Sequence, residues 1–404
     1  MSDGAERRRF EFAYRPGRIV CRPGCVADLG AACDRQGWER VLVVCGTTVG
    51  STPAVMTPIR DGLGDHLAGV FDETTPEKYL GTAVDGARRA RDVDADALVA
   101  VGGGSSLDTT TVIATLSTYD ESPDAVGRRA VADESLTLGD GDPLPVVAVP
   151  TTLAGADLST VAGVTFAMES RENPPAGGVG DERLMPEALF YDADLYRTTP
   201  DSVLTASAMN GFDKGIEALY TSNSTPVTDG TAARGLRLLR SGLSTLREEP
   251  MDADRLDDVL AGIICVQYGV SAPGRYKLSI IHAFGHGFSR GYDVHQGVVH
   301  GVVAPHVLRY LFEHVDGRRH LLAEALDVPT DGADDAVAEA VVDAVASVRD
   351  DLGLPDRLRT LDGLERADLD DIAARIVDDS LMATVPAGLD PTEEDVRDVL
   401  AAAW

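Results

Sequence analysis

The chain has 404 residues and a net charge of −30, from 66 acidic and 36 basic residues. That length buries a large core and points to two domains rather than one, and the charge makes nucleic acid and anionic membranes poor partners. No apolar run approaches the roughly 20 residues of a membrane-spanning helix, and the first nine residues carry no apolar signal-peptide core.

Up to about residue 190, short apolar runs alternate with amphipathic stretches. Residues 41–45, 97–101 and 146–149 read as buried strands of a parallel sheet, and 78–92 as a crossover helix. After Asp192 the strand-like runs thin out, and helical windows such as 230–246 and 334–348 dominate to Trp404. The pattern predicts an α/β dinucleotide-binding domain over residues 1–193 and an all-α catalytic domain over 194–404.

Five cysteines, an odd number without Cys-x-x-Cys spacing, read as reduced thiols of a cytoplasmic protein. The acidity is diffuse rather than gathered in a tail, which reads as a solvated surface suited to high salt, the halophilic pattern. Only three basic residues are lysines: Lys78, Lys214 and Lys277. Where surface lysine has nearly vanished, the survivors carry more functional weight.

Three segments carry chemistry. The strand at 97–101 runs into Gly102-Gly103-Gly104-Ser105-Ser106-Leu107-Asp108 and then a helix-like stretch over 109–116. Glycines let the backbone approach a pyrophosphate, and the N–H groups opening the next helix point at its charge. The spacing departs from Gly-x-Gly-x-x-Gly, so the strand–glycines–helix order carries the reading. In the second segment, Asn210, Asp213, Lys214 and Glu217 share a third of a helical turn at about 100° per residue. In the third, His282 and His286 are four apart on one helix face, and seven of the eight histidines lie between 282 and 320.

Together these segments resemble the iron-containing (group III) alcohol dehydrogenase family, and in motif its maleylacetate reductase-like branch. The match runs from Phe10-Glu-Phe-Ala-Tyr14 to Pro386-Ala-Gly-Leu-Asp-Pro-Thr-Glu-Glu-Asp-Val396. The resemblance implies the dehydroquinate synthase-like/iron-type alcohol dehydrogenase fold, a nicotinamide cofactor and a homodimer. It places Thr151 and Thr152 of Pro150-Thr-Thr-Leu-Ala-Gly-Ala-Asp157 along the nucleotide. Cys45-Gly46-Thr47-Thr48 falls where NAD-specific relatives often carry a ribose-binding Asp. No carboxylate stands there, so Gly46 and Thr47 would admit a 2′-phosphate; this favours NADP, with NAD open. The Lys that commonly follows the glycine loop is Thr111.

By the same resemblance, the family's metal-ligand positions fall on Asn210, Lys214, His282 and Gln296. A neutral amide and an ammonium are poor ligands, so a metal-free site is expected, with a rearranged one from Asp213, His282 and His295 or His286 as the alternative. His300, His306, His314 and His320 read as surface or packing residues, and Glu217 as structural. Without metal, Lys214 would supply charge at a developing alkoxide and His286 the proton, beside the retained His282. The expected activity is NAD(P)-dependent interconversion of a small polar aldehyde or ketone with its alcohol. A dehydroquinate synthase-like lyase that keeps NAD bound, and a nucleotide-binding relative without activity, are the alternatives.

Overall fold

The computed structural model describes residue 10 and residues 14–172, 174–271, 277–289, 292 and 294–404. They form two compact units, Arg15–Thr199 and Pro200–Trp404, the latter including the N-terminal residues to Tyr14.

The first unit holds β1 (Arg18–Cys21), β2 (Val41–Gly46), β3 (Leu67–Thr74), β4 (Ala97–Gly102), β5 (Val146–Pro150), β6 (Val161–Thr165), β7 (Ala176–Gly180) and β8 (Ala188–Tyr191). Six of them form one sheet in the order β1-β8-β5-β4-β2-β3, and β6 and β7 form a separate two-stranded antiparallel ladder. The pairs within the large sheet are parallel. Its central strands are continuous Val, Leu and Ala runs because both faces are covered: every residue from Val41 to Cys45 and from Ala97 to Val101 is fully buried. Each such Val or Leu side chain contributes about 1.5–3 kcal/mol on leaving water. The β4–β5 register runs from Leu98↔Val146 to Gly102↔Pro150, so the glycine loop and the Pro-Thr-Thr segment leave the sheet side by side.

Around the sheet run α1 (Leu29–Gln36), α2 (Pro53–Leu63), α3 (Leu80–Asp92), α4 (Gly104–Ser117) and α5 (Pro123–Asp133). Helix α3 starts later than the sequence window at 78 because Lys78 adopts φ 54°, outside the helical region. Helix α4 starts earlier than 109, directly on the glycine loop. The unit extends past Asp192, whose carboxylate accepts the N–H groups of Gly24, Val26 and Asp194. Beyond it, the Thr199 hydroxyl donates to the Thr151 carbonyl at 2.7 Å, so the division falls at Thr199/Pro200 rather than after 193.

The second unit is helical: α6 (Asp201–Tyr220), α7 (Pro226–Gly242), α8 (Ala253–Val270), α9 (Ile280–Ser289), α10 (Gln296–His314), α11 (Arg319–Ala325), α12 (Asp334–Asp351), α13 (Leu369–Val377) and α14 (Glu393–Ala403). Helix α6 is its axis, buried along most of its length and packed against α7, α8 and α10. The 230–246 window divides into α7 and a 3-10 turn, Leu243–Arg247. Helix α7 begins at Pro226 behind a capping box of Thr225 and Thr228, each side chain serving the other's backbone N–H. Among the described residues no helix is long and apolar enough to cross a membrane, and none of the five cysteines, all described, forms a disulfide.

Candidate active site

The glycine loop of the first unit is a backbone surface stripped of side chains. Gly102 sits at φ +134°, a conformation L-residues rarely adopt, and a Cβ there would meet Ser106 Oγ at 3.2 Å. A Cβ on Gly103 would come to 3.1 Å from Thr152 Cγ2, and one on Gly104 to 3.3 Å from the Ala156 Cβ. Loop and Pro-Thr-Thr segment therefore lie flush. The Thr151 N–H donates to the Gly102 carbonyl at 3.0 Å, closing the pair. No side chain caps α4; the Ser106 and Leu107 N–H groups donate to the Gly103 carbonyl at 3.0 and 3.2 Å.

Other residues expected on the cofactor have assigned partners. Ser105 is half-buried in the first turn of α4. Next to it, Ser106 is buried, its hydroxyl 2.7 Å from the Thr74 hydroxyl, which ties the loop to β3. Asp108 accepts from Lys78 Nζ at 2.9 Å, an ion pair that the sequence did not foretell. Asp157 is buried and accepts a short hydrogen bond from the Tyr191 hydroxyl. After β2, the Thr47 hydroxyl donates to the Asp72 carbonyl at 3.0 Å. The Asp72 side chain then lies over Gly50, where a Cβ would stand 2.5 Å from the Asp72 Cβ. A carboxylate thus reaches the Gly46–Gly50 turn from the neighbouring strand rather than from β2 itself.

In the helical unit α6 brings its polar face against α9 and α10. Glu217 is fully buried and accepts the Ser279 N–H at 2.9 Å and the His282 N–H at 3.0 Å, closing the start of α9. Its other task is His282: Nδ1 stands 2.7 Å from Glu217 Oε2. With Glu217 ionised the carboxylate only accepts, so Nδ1 then carries the proton and Nε2 keeps its lone pair. That Nε2 is buried with no hydrogen-bond partner among the described groups. Burial, with His300 and the Lys214 ammonium adding to it, holds His282 well below the ordinary imidazole range. Burial also pushes Glu217 up to about 7, against the pull of its backbone donors.

His300 is not a packing residue in the plain sense. It is fully buried, its ring is edge-on to His282 at 4.4 Å, and its Nδ1 lies 3.4 Å from Asp213 Oδ2. Burial pushes Asp213 well above the carboxylate range and His300 down to about 3. Both shifts favour a neutral acid beside a neutral imidazole over a buried ion pair. Asp213 therefore faces His300, while His295 caps α10 through its Nδ1 and the Gly297 N–H at 3.2 Å. The structure does not bring His295 into a common ligand set with Asp213 and His282.

Asn210 and Gln296 meet each other, Nδ2 donating to Oε1 at 3.4 Å. They can do so because Gly297 lets α10 touch α6: a Cβ there would fall 1.8 Å from the Ala206 carbonyl oxygen. Lys214 is half-buried on the same face. One turn past His282, His286 is 45% exposed in its side chain, and its Nδ1 lies 2.9 Å from Asp379 Oδ2. Among the described residues no three His, Cys, Asp or Glu side chains are grouped to hold a metal ion. The sequence offers Lys78 only as one of three lysines and His300 only as a surface or packing residue, and it singles out neither Asp72 nor Asp379.

The first unit is thus a parallel sheet whose β4 ends in a glycine loop, and the second a helical unit with two histidines on one helix face. Residues 16–193 match the iron-containing alcohol dehydrogenase family, and 204–404 match the family of its C-terminal domains. The chain belongs to the iron-containing alcohol dehydrogenase family and is an oxidoreductase. Maleylacetate reductase of Pseudomonas aeruginosa is 27% identical over 368 residues, 90% of each chain. Lactaldehyde reductase of Escherichia coli K12 is 25% identical over 384 residues, 94% of this chain and 96% of that one. The fold is shared with sulfoacetaldehyde reductase from Bifidobacterium kashiwanohense, solved in complex with NAD+, at a TM-score of 0.84 and 17% identity, covering 98% of this chain and 99% of that one.

Proposed function

We propose that the protein reduces a small polar aldehyde or ketone to its alcohol, and the reverse, with a nicotinamide cofactor and no catalytic metal. The observation that carries this is the polar face of α6, where an ammonium stands at a family ligand position near a histidine whose buried Nε2 has no hydrogen-bond partner among the described groups.

The donor set does not fit a tightly held divalent ion. His282 Nε2 is the one strong donor at the four ligand positions, its ring oriented by the Glu217 carboxyl at Nδ1 in the way carboxylates orient metal-bound imidazoles. Asn210 and Gln296 are neutral amides, of which the Gln296 Oε1 accepts from Asn210 Nδ2, and the Lys214 ammonium repels a cation.

A nicotinamide cofactor fits the first unit, where β4 runs into Gly102–Gly104 and a helix start with no side-chain cap, the strand–glycines–helix order that takes a pyrophosphate. When bound, its reduced ring supplies the hydride for the carbonyl carbon. As the carbonyl oxygen gains electrons, Lys214 offsets the charge in a half-buried setting where water screens it less. His286 delivers the proton to that oxygen from Nε2, and takes it back in alcohol oxidation. For cofactor choice we favour NAD. Asp72 brings a negative charge to the Gly46–Gly50 turn, where a 2′-phosphate would have to sit. The diffuse acidity we read as a surface suited to high salt.

The test is NADH or NADPH oxidation by purified protein with lactaldehyde and maleylacetate as probes, with and without excess chelator, alongside metal analysis. Turnover that survives chelation with no stoichiometric iron or zinc supports the reading. One tightly bound equivalent whose removal abolishes turnover overturns its metal-free part.

A further inference from the structure

We infer that Asp379 is the positioning residue of His286, holding its Nδ1 so that Nε2 is the atom that exchanges a proton with substrate; the inference rests on His286 as the proton carrier proposed above. The contact is a 2.9 Å approach of His286 Nδ1 to Asp379 Oδ2, across 93 residues of sequence. Asp379 is itself anchored. Its Oδ1 accepts the Leu381 N–H at 2.9 Å, capping the 3-10 turn Ser380–Thr384, and its side chain is only 18% exposed. A carboxylate fixed by a backbone N–H presents its second oxygen without the entropy cost of two mobile side chains.

The pair does little for stability. An ion pair with a half-exposed partner is worth little in water, and Asp379 already has its capping role. What the geometry does fix is the tautomer. An ionised carboxylate has no proton to give, so Nδ1 must donate and the lone pair falls on Nε2. When His286 gains a second proton, the same carboxylate faces the resulting positive charge. His282, one turn earlier, has the same Nδ1–carboxylate arrangement with Glu217, but deeply buried and coupled to the start of α9. Of the two imidazoles on this helix face, only His286 is half open to solvent and therefore able to pass protons onward.

The experiment compares wild type with Asp379→Asn by 15N NMR of the histidine rings, with the His286 signals assigned through His286→Gln. The Asn variant keeps the oxygen that caps Leu381 but offers His286 an amide N–H. The ring should move from the Nδ1–H to the Nε2–H tautomer, and turnover should fall about 100-fold or more, the share of a positioned general acid. Cofactor affinity should not change, and Asp379→Glu should restore the Nδ1–H tautomer in part. A wild-type ring already in the Nε2–H form overturns the inference. So does a ring unmoved by the Asn change, or a flipped ring with normal turnover. If wild type turns over no carbonyl probe, the proposed reaction fails, while the tautomer arms still decide whether Asp379 orients His286.

Discussion

The glycine loop and the α9 histidine face are built on different principles. Gly102, Gly103, Gly104, Thr151 and Thr152 come from two short segments whose strands are neighbours, and their geometry follows from the Gly102↔Pro150 register. The histidine face is assembled from afar. Glu217 reaches His282 across 65 residues, Asn210 reaches Gln296 across 86, and His286 reaches Asp379 across 93. A binding surface made of backbone can be local because every residue has the same N–H and C=O. A reacting centre needs chosen side chains at chosen distances, and those must be gathered from several helices.

The sharpest way to break this division of labour is Lys214→Ala. Losing one charge at a developing alkoxide lowers turnover by about 100-fold or more, while cofactor dissociation constants measured by fluorescence titration should stay put. Lys214→Arg should rescue poorly, since a planar fork does not replace a compact ammonium. Normal turnover in Lys214→Ala would move the electrophile elsewhere.

The second test sets the two units against each other by pH. In the α/β unit burial pushes Cys25 and Cys45 up to about 12 and Cys33 up to about 11. Above pH 9 the unfolded chain sheds those protons and the folded unit keeps them, so stability falls as pH rises. In the helical unit burial pulls His300 down to about 3 and His306 to about 4, and lowers His282 as well. As pH drops below 6.5, the unfolded chain takes up protons that the folded unit refuses, and stability falls. Burial lowers His295 too, and Glu217 and Asp213, both raised, work the other way, two groups against four. Each uncompensated proton is worth about 1.4 kcal/mol per pH unit. Trp38 and Trp404 lie one in each unit, so melts of Trp404→Phe and Trp38→Phe report them separately. The α/β reporter should weaken on the alkaline side, the helical reporter on the acid side. Coincident behaviour of both would remove the contrast.

The smallest effect concerns cofactor choice. Asp72→Ser removes a charge whose repulsion of a 2′-phosphate at about 4 Å in water is near 1 kcal/mol. The ratio of kcat/KM for NADPH over NADH should therefore rise roughly fivefold. An unchanged ratio would detach Asp72 from the ribose.

What the sequence disclosed follows the same contrast. The strands at 41–45, 97–101 and 146–149 were legible because burial on both faces writes continuous apolar runs. The roles proposed for Lys214, His282 and His286 rest on family resemblance, with lysine scarcity adding weight to Lys214, since helical spacing says which residues share a face but not what that face meets. His300 was set aside as packing because nothing in a sequence reveals that Gly285 and the turn at 295–297 bring it onto His282. Asp379 lies in an acidic stretch where Asp378 and Asp379 look alike; only the turn they enter tells them apart. The family pattern places a ribose-binding acid directly after β2, whereas the carboxylate at that turn, Asp72, arrives on β3.

Lysine scarcity gives the protein an unusual chemical address. Amine-reactive reagents meet only three side chains. Lys277 is nearly inaccessible, and Lys78 is a third exposed but engaged by Asp108. Lys214 is half-buried on α6, at the reacting centre proposed above. An acylating or reductively alkylating probe shaped like a small carbonyl compound would therefore read out the occupancy of one site with little background from the rest of the surface, a labelling selectivity that a lysine-rich relative could not offer.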